Sequence, residues 1–277
     1  MSLIAWDKLL HSQGFGTRKQ CQGLLASGVV SVGGEVVDNY CQTVEPQGLV
    51  FEVAGTVWEY RRHVYLALNK PANIECSRKP SHHPGVLSLL PDQFRARDVQ
   101  PVGRLDHDTT GLLLLSDDGA FIHAQSSPKR QVPKVYVAVT HEPVTEALVA
   151  MLSMGVKLHD EPFPLRATHC RAIAEFELEI VVEQGKYHQV KRMLAAAGNH
   201  CVALRRVAIG DLSLQALGLD NGQWRHLGEQ ELVLLELPAS VSHKCHGIGQ
   251  RVTEQQDSRR AKQVRHRVGS GAPCFAK

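Results

Sequence analysis

One stretch, residues 103–119, constrains the fold more than any other part of the sequence. It is a polar loop with Asp106 and Asp108 that runs directly into four leucines, Leu112 to Leu115, and stops at Asp117-Asp118-Gly119. A short apolar run bounded by turn residues is typical of a buried strand. The loop therefore holds a carboxylate at the mouth of a rigid strand, which is one way to build a fixed catalytic group.

The two loop aspartates are open to three other interpretations. As turn formers, they would only bond their own backbone. A calcium loop fits the spacing but fails at its ninth position, where Leu114 replaces an oxygen ligand, and at its last, where Asp117 replaces a bidentate Glu. A retaining glycosidase needs two carboxylates about 5 Å apart, which a shared loop does not establish. The calcium site is excluded, and the turn and the glycosidase stay open.

Composition restricts the class of protein. The 277 residues can form one large domain or two ordinary ones, and a hydrophobic content of 43% is enough for a real core. No apolar run approaches membrane-spanning length, and the N-terminus lacks the pattern of a signal peptide. The seven cysteines are scattered without a Cys-x-x-Cys pair, so we expect no disulfide framework, no metal site and a reducing, cytoplasmic environment.

The net charge of +3 is unevenly distributed along the chain. Residues 240–277 contain eight of the 31 Lys and Arg but two of the 28 acidic residues, which leaves 23 basic and 26 acidic residues in 1–239. If the folded part binds nucleic acid, its basic groups must be clustered on one face. The tail has little periodicity, and we expect it to be disordered and attracted to RNA by its charge.

Residues 1–58 read as two short helices followed by strands. Thr17 is predicted to cap a helix that runs through Leu25, and Gly28 to end it. Gly33-Gly34, flanked by valines, predicts a hairpin. The polar residues 59–62 are the expected linker to a second domain.

Alternating and helical patterns continue beyond this linker. Residues 64–68 and 175–182 read as strands, and residues 142–154 as a helix. Residues 134–139 alternate as a strand that places Tyr136 on the same face as Lys134 and Ala138. A tyrosine on a strand is more often a core residue than a catalytic one.

Two cations stand beside the start of another predicted helix. Val190, Met193, Leu194 and Ala197 form its apolar stripe, and Gly198 follows it. Lys191 and Arg192 lie near its N-terminus, where cations are mildly disfavoured. We therefore expect a buried carboxylate or an RNA phosphate to face them.

Together these motifs resemble those of the pseudouridine synthases that modify ribosomal RNA. Gly-Arg-Leu-Asp followed by Asp-Thr-Thr-Gly resembles the central motif, Asn-Lys-Pro after a strand the first signature, and Lys-x-Tyr the second motif. The string Gly-Lys-Tyr-His-Gln-Val-Lys-Arg-Met is most similar to the small-subunit members. Near the N-terminus, Asp-Lys, Thr-Arg and Val-Ser-Val-Gly-Gly-Glu-Val resemble a small RNA-binding module shared by a ribosomal protein and several RNA enzymes. The resemblance runs from about residue 3 to residue 236.

The resemblance implies a role for several side chains. Asp106 would be the catalytic aspartate, Tyr136 would lie over the flipped uracil and accept a proton, and Lys191 would pair with Asp106. Arg104 would fill the space that the uridine vacates. Leu204 matches an apolar pocket residue, for which core packing is an equally good interpretation. Contacts to RNA are implied for the basic residues Arg18, Lys19, Lys134 and Arg192.

The expected fold is α+β, a mixed and largely antiparallel sheet with a central cleft, preceded by a small RNA-binding domain. The expected divisions are an RNA-binding domain at 1–58, a linker at 59–62, a catalytic domain at 63–239 and a tail at 240–277. The implied reaction isomerises a specific uridine of small-subunit ribosomal RNA, without a cofactor, by a monomer acting on that RNA or on a small-subunit assembly intermediate, away from any membrane. The alternatives are the same reaction on large-subunit RNA and a non-catalytic assembly factor.

Overall fold

The computed structural model describes residues 3–77 and 79–235, and their architecture is α+β, as predicted. The strands are β1 (Ile4–Ala5), β2 (Val30–Val32), β3 (Glu35–Val36), β4 (Thr43–Val44), β5 (Val50–Val53), β6 (Thr56–Glu59), β7 (Tyr65–Lys70), β8 (Gln100–Pro101), β9 (Thr110–Ser116), β10 (Lys134–Thr140), β11 (His169–Ala174), β12 (Glu177–Val182), β13 (Cys201–Ile209), β14 (Leu212–Ser213) and β15 (Trp224–His226). The helices are α1 (Trp6–Ser12), α2 (Arg18–Ala26), α3 (Asp92–Ala96), α4 (Gly119–Ser126), α5 (Glu146–Met154), α6 (Gln189–Ala196), α7 (Leu214–Leu217) and α8 (Glu229–Val233).

The N-terminal part is a helix pair packed on a four-stranded sheet of order β3-β2-β5-β6. The predicted cap of α2 is confirmed: the Thr17 hydroxyl accepts the N–H of Gln20, and the Gln20 side chain accepts the N–H of Thr17. The Gly33-Gly34 hairpin between β2 and β3 is confirmed as well. Leu9 and Phe51 are among the fully buried residues of its core. Local capping and turn signals thus place these elements correctly.

A nine-stranded sheet forms the larger part of the structure, with the path β11-β12-β10-β13-β9-β7-β15 and β8 and β14 as short additions. Every pair is antiparallel except β9 with β13, which run parallel. The predicted leucine strand is β9, in the middle of this sheet. Leu113 and Leu115 pack into one core and Leu112 and Leu114 into another, all fully buried. A strand covered on both faces explains why the apolar run is continuous.

The strands and helices beyond β9 largely follow their patterns. Helix α5 begins only at Glu146, later than predicted, because the Thr145 hydroxyl accepts the N–H of Leu148 and caps it. The predicted stripe of α6 is buried, with Met193 and Leu194 fully inaccessible to solvent. These side chains pack against β10, β12 and β13 in a third cluster, which fixes α6 against the sheet.

The side chain of Arg97 connects the chain on either side of the expected linker. Its guanidinium donates to the carbonyls of Arg61 and Arg62 at 2.9 and 3.0 Å and to the Gln13 side chain at 2.9 Å. It also donates to Asp117 at the end of β9 at 2.9 Å. One buried guanidinium therefore joins α1, the 59–62 segment and the central strand.

The four-stranded sheet ends at Glu59 and the nine-stranded sheet begins at Tyr65. The division into domains with boundaries at 58 and 63 stays a prediction. Among the described residues, helices are too short or too polar to cross a membrane. The predicted disordered tail, residues 240–277, lies outside the described residues.

Candidate active site

A cleft of about 720 Å³, counted with the solvent at its mouth, opens beside the middle strands of the large sheet. Its walls come from the loop before β9, from β10 and β13, and from the turn before α6. Five residues proposed from the sequence line it: Arg104, Asp106, Lys134, Tyr136 and Leu204.

Lys70 is hydrogen-bonded to the backbone of the loop that carries Asp106. This lysine is fully buried, and its Nζ donates to the carbonyls of Pro71 and His107 at 2.9 and 3.1 Å. Burial lowers the pKa of Lys70, against the opposing effects of Cys76, Asp108 and Asp106. The Asn-Lys-Pro signature therefore contributes a cation that fixes the loop backbone next to Asp106.

Gly111, in the central motif, allows β9 and β13 to meet. Its φ is +101°, and an added Cβ would lie 2.2 Å from the carbonyl oxygen of Arg206. Only glycine tolerates both this conformation and this approach. The parallel contact places the loop with Asp106 beside the cleft residues of β13.

The Asp106 carboxylate is held by two groups, one at each oxygen. Its Oδ1 lies 3.2 Å from Nε2 of His188, and its Oδ2 lies 3.2 Å from Nζ of Lys191. The Asp106 side chain is 25% exposed, so it is oriented but still reachable. The predicted meeting of Lys191 with Asp106 is therefore present in the structure.

Lys191 binds a second carboxylate more closely than Asp106. Its Nζ donates to Oδ1 and Oδ2 of Asp108 at 2.6 and 2.9 Å. Burial raises the pKa of Asp108, but hydrogen bonding and charge from Lys191 outweigh it and hold that pKa below its usual value. Burial likewise lowers the pKa of Lys191, and both carboxylates outweigh it and raise that pKa. Lys191 thus stays cationic between two aspartates, a sharing that the sequence did not suggest.

Tyr136 and Leu204 stand on adjacent strands of the cleft wall. Tyr136 packs against two core clusters and still lines the cleft, so its ring has both a packed side and an open side. Leu204 pairs with Ala138 across the strands and is 7% exposed. Both interpretations of Leu204 agree with its position, because it belongs to a core cluster and borders the cleft.

The other basic residues are in different situations. Arg104 is exposed at the cleft, and Lys19 is exposed on α2. Arg18 pairs with the buried carboxylate of Asp7 at 2.7 Å, far along the chain from the cleft residues. Lastly, Arg192 pairs with Asp160 and donates to the Tyr187 carbonyl. Lys191 and Arg192 therefore face different carboxylates: Lys191 contacts Asp106 and Asp108, and Arg192 contacts Asp160.

Two residues that touch the site were missed from the sequence. His188 precedes Lys191 by three residues, but it is the residue before α6, so the spacing of neighbours on one helix face did not indicate it. Its backbone is left-handed, with φ of 46°, and its ring stacks on Tyr187 at 3.8 Å. Arg206 follows Leu204 by two residues on β13, so the alternation of a strand already placed it toward the cleft.

Comparisons with known proteins identify the family of this chain. Residues 64–196 match the family model described as RNA pseudouridylate synthase. The chain is 34% identical over 235 residues to an uncharacterised RNA pseudouridine synthase, YtzG, of Bacillus subtilis, covering 84% of this chain and 98% of the relative. It is 36% identical over 203 residues to ribosomal small subunit pseudouridine synthase A of Escherichia coli, covering 73% and 87%.

A solved structure supports the same assignment. The crystal structure of a pseudouridylate synthase superposes with a TM-score of 0.59 at 31% identity, covering 84% of this chain and all of that one. The predicted pseudouridine synthase fold is thereby confirmed. With its central motif, its cleft and these relatives together, the chain belongs to the RNA pseudouridylate synthase family of enzymes.

Proposed function

We propose that this enzyme converts a specific uridine of small-subunit ribosomal RNA into pseudouridine, with Asp106 as the catalytic carboxylate. The observation that supports the assignment most is that Asp106 and Tyr136, from distant parts of the chain, line one cleft, with Lys191 paired to Asp106 beside it. The relatives named for the small ribosomal subunit support the choice of RNA.

The reaction breaks the bond from uracil N1 to the ribose, turns the base and rejoins it through C5. The proton that leaves C5 is balanced by one gained at N1, so no atom is lost overall and nothing is oxidised. The chemistry therefore requires no cofactor. Asp106 starts it, either by attacking the anomeric carbon or by removing a ribose proton. Lys191 and His188 keep the carboxylate oriented, which is the form of pre-organisation that such a step needs.

The remaining cleft residues hold the nucleotide. Tyr136 stacks on the uracil and accepts the C5 proton, directly or through water, while Leu204 supports the base from the adjacent strand. Extruding a uridine from its stack costs a few kcal/mol, and Arg104 at the cleft mouth fills the vacated space.

The RNA around the target nucleotide is bound by basic residues at the cleft and on α2. Lys134 and Arg104 act at the cleft, and Lys19 acts on the exposed face of α2. Arg18 and Arg192 contribute less, because Asp7 and Asp160 already hold their guanidinium groups. We propose that the enzyme acts as a monomer in the cytoplasm, on ribosomal RNA or on an assembly intermediate.

Tritium release from RNA labelled at uridine C5 tests the activity itself. The purified protein is expected to release tritium from small-subunit RNA and to leave no free uracil. A protein that binds the RNA without releasing tritium would be an assembly factor, and free uracil on chromatography would indicate a glycosidase. Either result would overturn the proposal.

The target is tested by mapping pseudouridines in ribosomal RNA after deletion of the gene. One position in small-subunit RNA is expected to revert to uridine and to be restored by the wild-type gene. Loss of a position in large-subunit RNA instead would keep the activity and overturn the choice of RNA.

A further inference from the structure

Arg206 is a buried cation at the cleft wall that has no part in the reaction as proposed above. It is 2% exposed, and its Nε donates to the carbonyl of Leu112 at 2.7 Å. Its Nη2 has no hydrogen-bond partner among the described residues, although it is fully shielded from solvent. A buried polar group left unpaired lowers the stability of the protein, and does so more when it is charged. Such a group at a cleft wall indicates a ligand that completes it.

A second cation stands near Arg206 in the same cleft. Lys134 is partly buried, and its Nζ donates a hydrogen bond to the carbonyl of Val132, two residues earlier in the chain. Burial, and then the charge of Arg206, lower the pKa of Lys134 to about 8, against the opposite effect of Glu183. The protein therefore places two cations close enough for the charge of Arg206 to lower the pKa of Lys134.

The strand register indicates what reaches these cations. Arg206 pairs directly with Tyr136 on β10, and Leu204 lies two residues before it on the same face of β13. Arg206 is thus flanked by the two side chains proposed to hold the base. A flat base inserted there can reach the guanidinium of Arg206, which lines the cleft although it is only 2% exposed. A phosphate on the outside of an RNA strand is less suited to this depth.

We propose, on the basis of the proposed function, that Arg206 and Lys134 bind the carbonyl oxygens of the target uracil and stabilise its negative charge during bond cleavage. When the bond from C1′ to N1 breaks, by either route, its electron pair stays on the uracil and is delocalised onto O2 and O4. Fixed donors in a site that excludes water stabilise such a charge far better than water does. Arg206 and Lys134 stabilise this charge until C5 has bonded to the ribose and the base is neutral again.

The test compares Arg206→Met, Arg206→Lys and Lys134→Met in single-turnover tritium release at saturating RNA. Removal of one donor of this kind costs about a hundredfold in rate, and we expect that loss for Arg206→Met and about tenfold for Lys134→Met. The dissociation constant of the RNA should stay within about twofold for Arg206→Met, because Arg206 is buried. Arg205→Met is the matched control, because Arg205 is the exposed neighbour of Arg206, on the opposite face of β13.

A pH profile separates a chemical role of Lys134 from a structural one. At sub-saturating RNA, where the rate reports the free enzyme, the wild-type single-turnover rate should fall as the pH rises through about 8, where Lys134 loses its proton. Lys191 does not cause this fall, since its pKa is raised, whereas burial also lowers the pKa of Lys70, so the assignment to Lys134 depends on the Lys134→Arg variant. In Lys134→Arg, which stays charged, the fall should disappear.

Three results would overturn the inference. One is a full single-turnover rate in both Arg206→Met and Lys134→Met. Another is weaker RNA binding at an unchanged rate, with a salt dependence shallower by about one unit of slope, which would indicate a phosphate contact. The third is a lower melting temperature for Arg206→Met with Lys134→Met fully active, which would make Arg206 structural. Absence of tritium release from the wild-type protein would instead overturn the proposed function.

Discussion

The two ends of β9 carry aspartates in opposite situations. At the C-terminal end, Asp117 accepts hydrogen bonds from the N–H of Val64 at 2.7 Å and from Nε of Arg97 at 2.9 Å. It also forms an ion pair with Nη2 of Arg97 at 2.7 Å, and its side chain is 11% exposed. At the N-terminal end, Asp106 is 25% exposed and lies 3.2 Å from each of its two partners. The first carboxylate has short bonds at every oxygen, while the second is oriented and keeps a side open to the cleft.

This difference shows how one strand can serve stability at one end and chemistry at the other. The short, buried bonds of Asp117 fix β9 against the N-terminal part of the chain through Arg97. With that end fixed, the loop at the other end is held in place by Lys70 and can present Asp106 without enclosing it. A carboxylate that is completely paired cannot act on a substrate, so the looser contacts of Asp106 are what its proposed role requires.

The largest effect on stability is expected for Asp117→Ala. Removing one partner of a buried pair leaves Arg97 as an uncompensated charge and should lower the free energy of unfolding by about 3–5 kcal/mol. Urea unfolding measures this, with Asp92→Ala as the control, because the Asp92 side chain is 91% exposed and its loss should cost less than about 0.5 kcal/mol. Equal stability of the two variants would contradict the structural role of Asp117.

Lys191→Met should lower turnover about a hundredfold, because it removes the cation between two carboxylates beside the proposed reaction centre. Steady-state tritium release gives kcat and KM, and the loss is expected in kcat. Lys157→Met is the control, since Lys157 binds only the loop carbonyls of Glu161 and Pro162 in the described structure. A normal kcat in Lys191→Met would contradict the role of Lys191 in turnover.

His188→Ala is expected to lower kcat about tenfold through misplacement of the Asp106 carboxylate, with little change in KM. His188→Gln keeps a donor near that position and should recover part of the loss. If the two variants were equally impaired, the donor to Asp106 would not be the function of this side chain.

The smallest effect is expected at Thr17→Ala, remote from both ends of β9. Loss of the cap on α2 should cost about 1 kcal/mol of stability. Tritium release per folded molecule should be unchanged. A loss of activity larger than the loss of stability would mean that α2 affects the cleft.

Elements defined by local patterns could be predicted from the sequence. Strand β9, the cap at Thr17 and the buried stripe of α6 each depend on residues a few positions apart. Helix α5 was placed too early because Thr145, which caps it, was not recognised among neighbouring polar residues.

The site could be predicted only where a motif carried it. The contact of Lys191 with Asp106 followed from the resemblance, whereas the closer bond to Asp108 depends on how the loop and α6 meet in three dimensions. The pairing of Arg97 with Asp117 joins two residues that look like ordinary turn charges in the sequence. His188 reaches Asp106 through a left-handed backbone that no spacing rule suggests.

Asp106→Asn tests the central claim most directly, because it keeps the size of the side chain and removes its charge. Tritium release from uridine-labelled ribosomal RNA should fall by at least about a thousandfold, with the melting temperature and the RNA dissociation constant nearly unchanged. Release at a near-normal rate by this variant would contradict the account, because the carboxylate at the open end of β9 would then not be the group that starts the reaction.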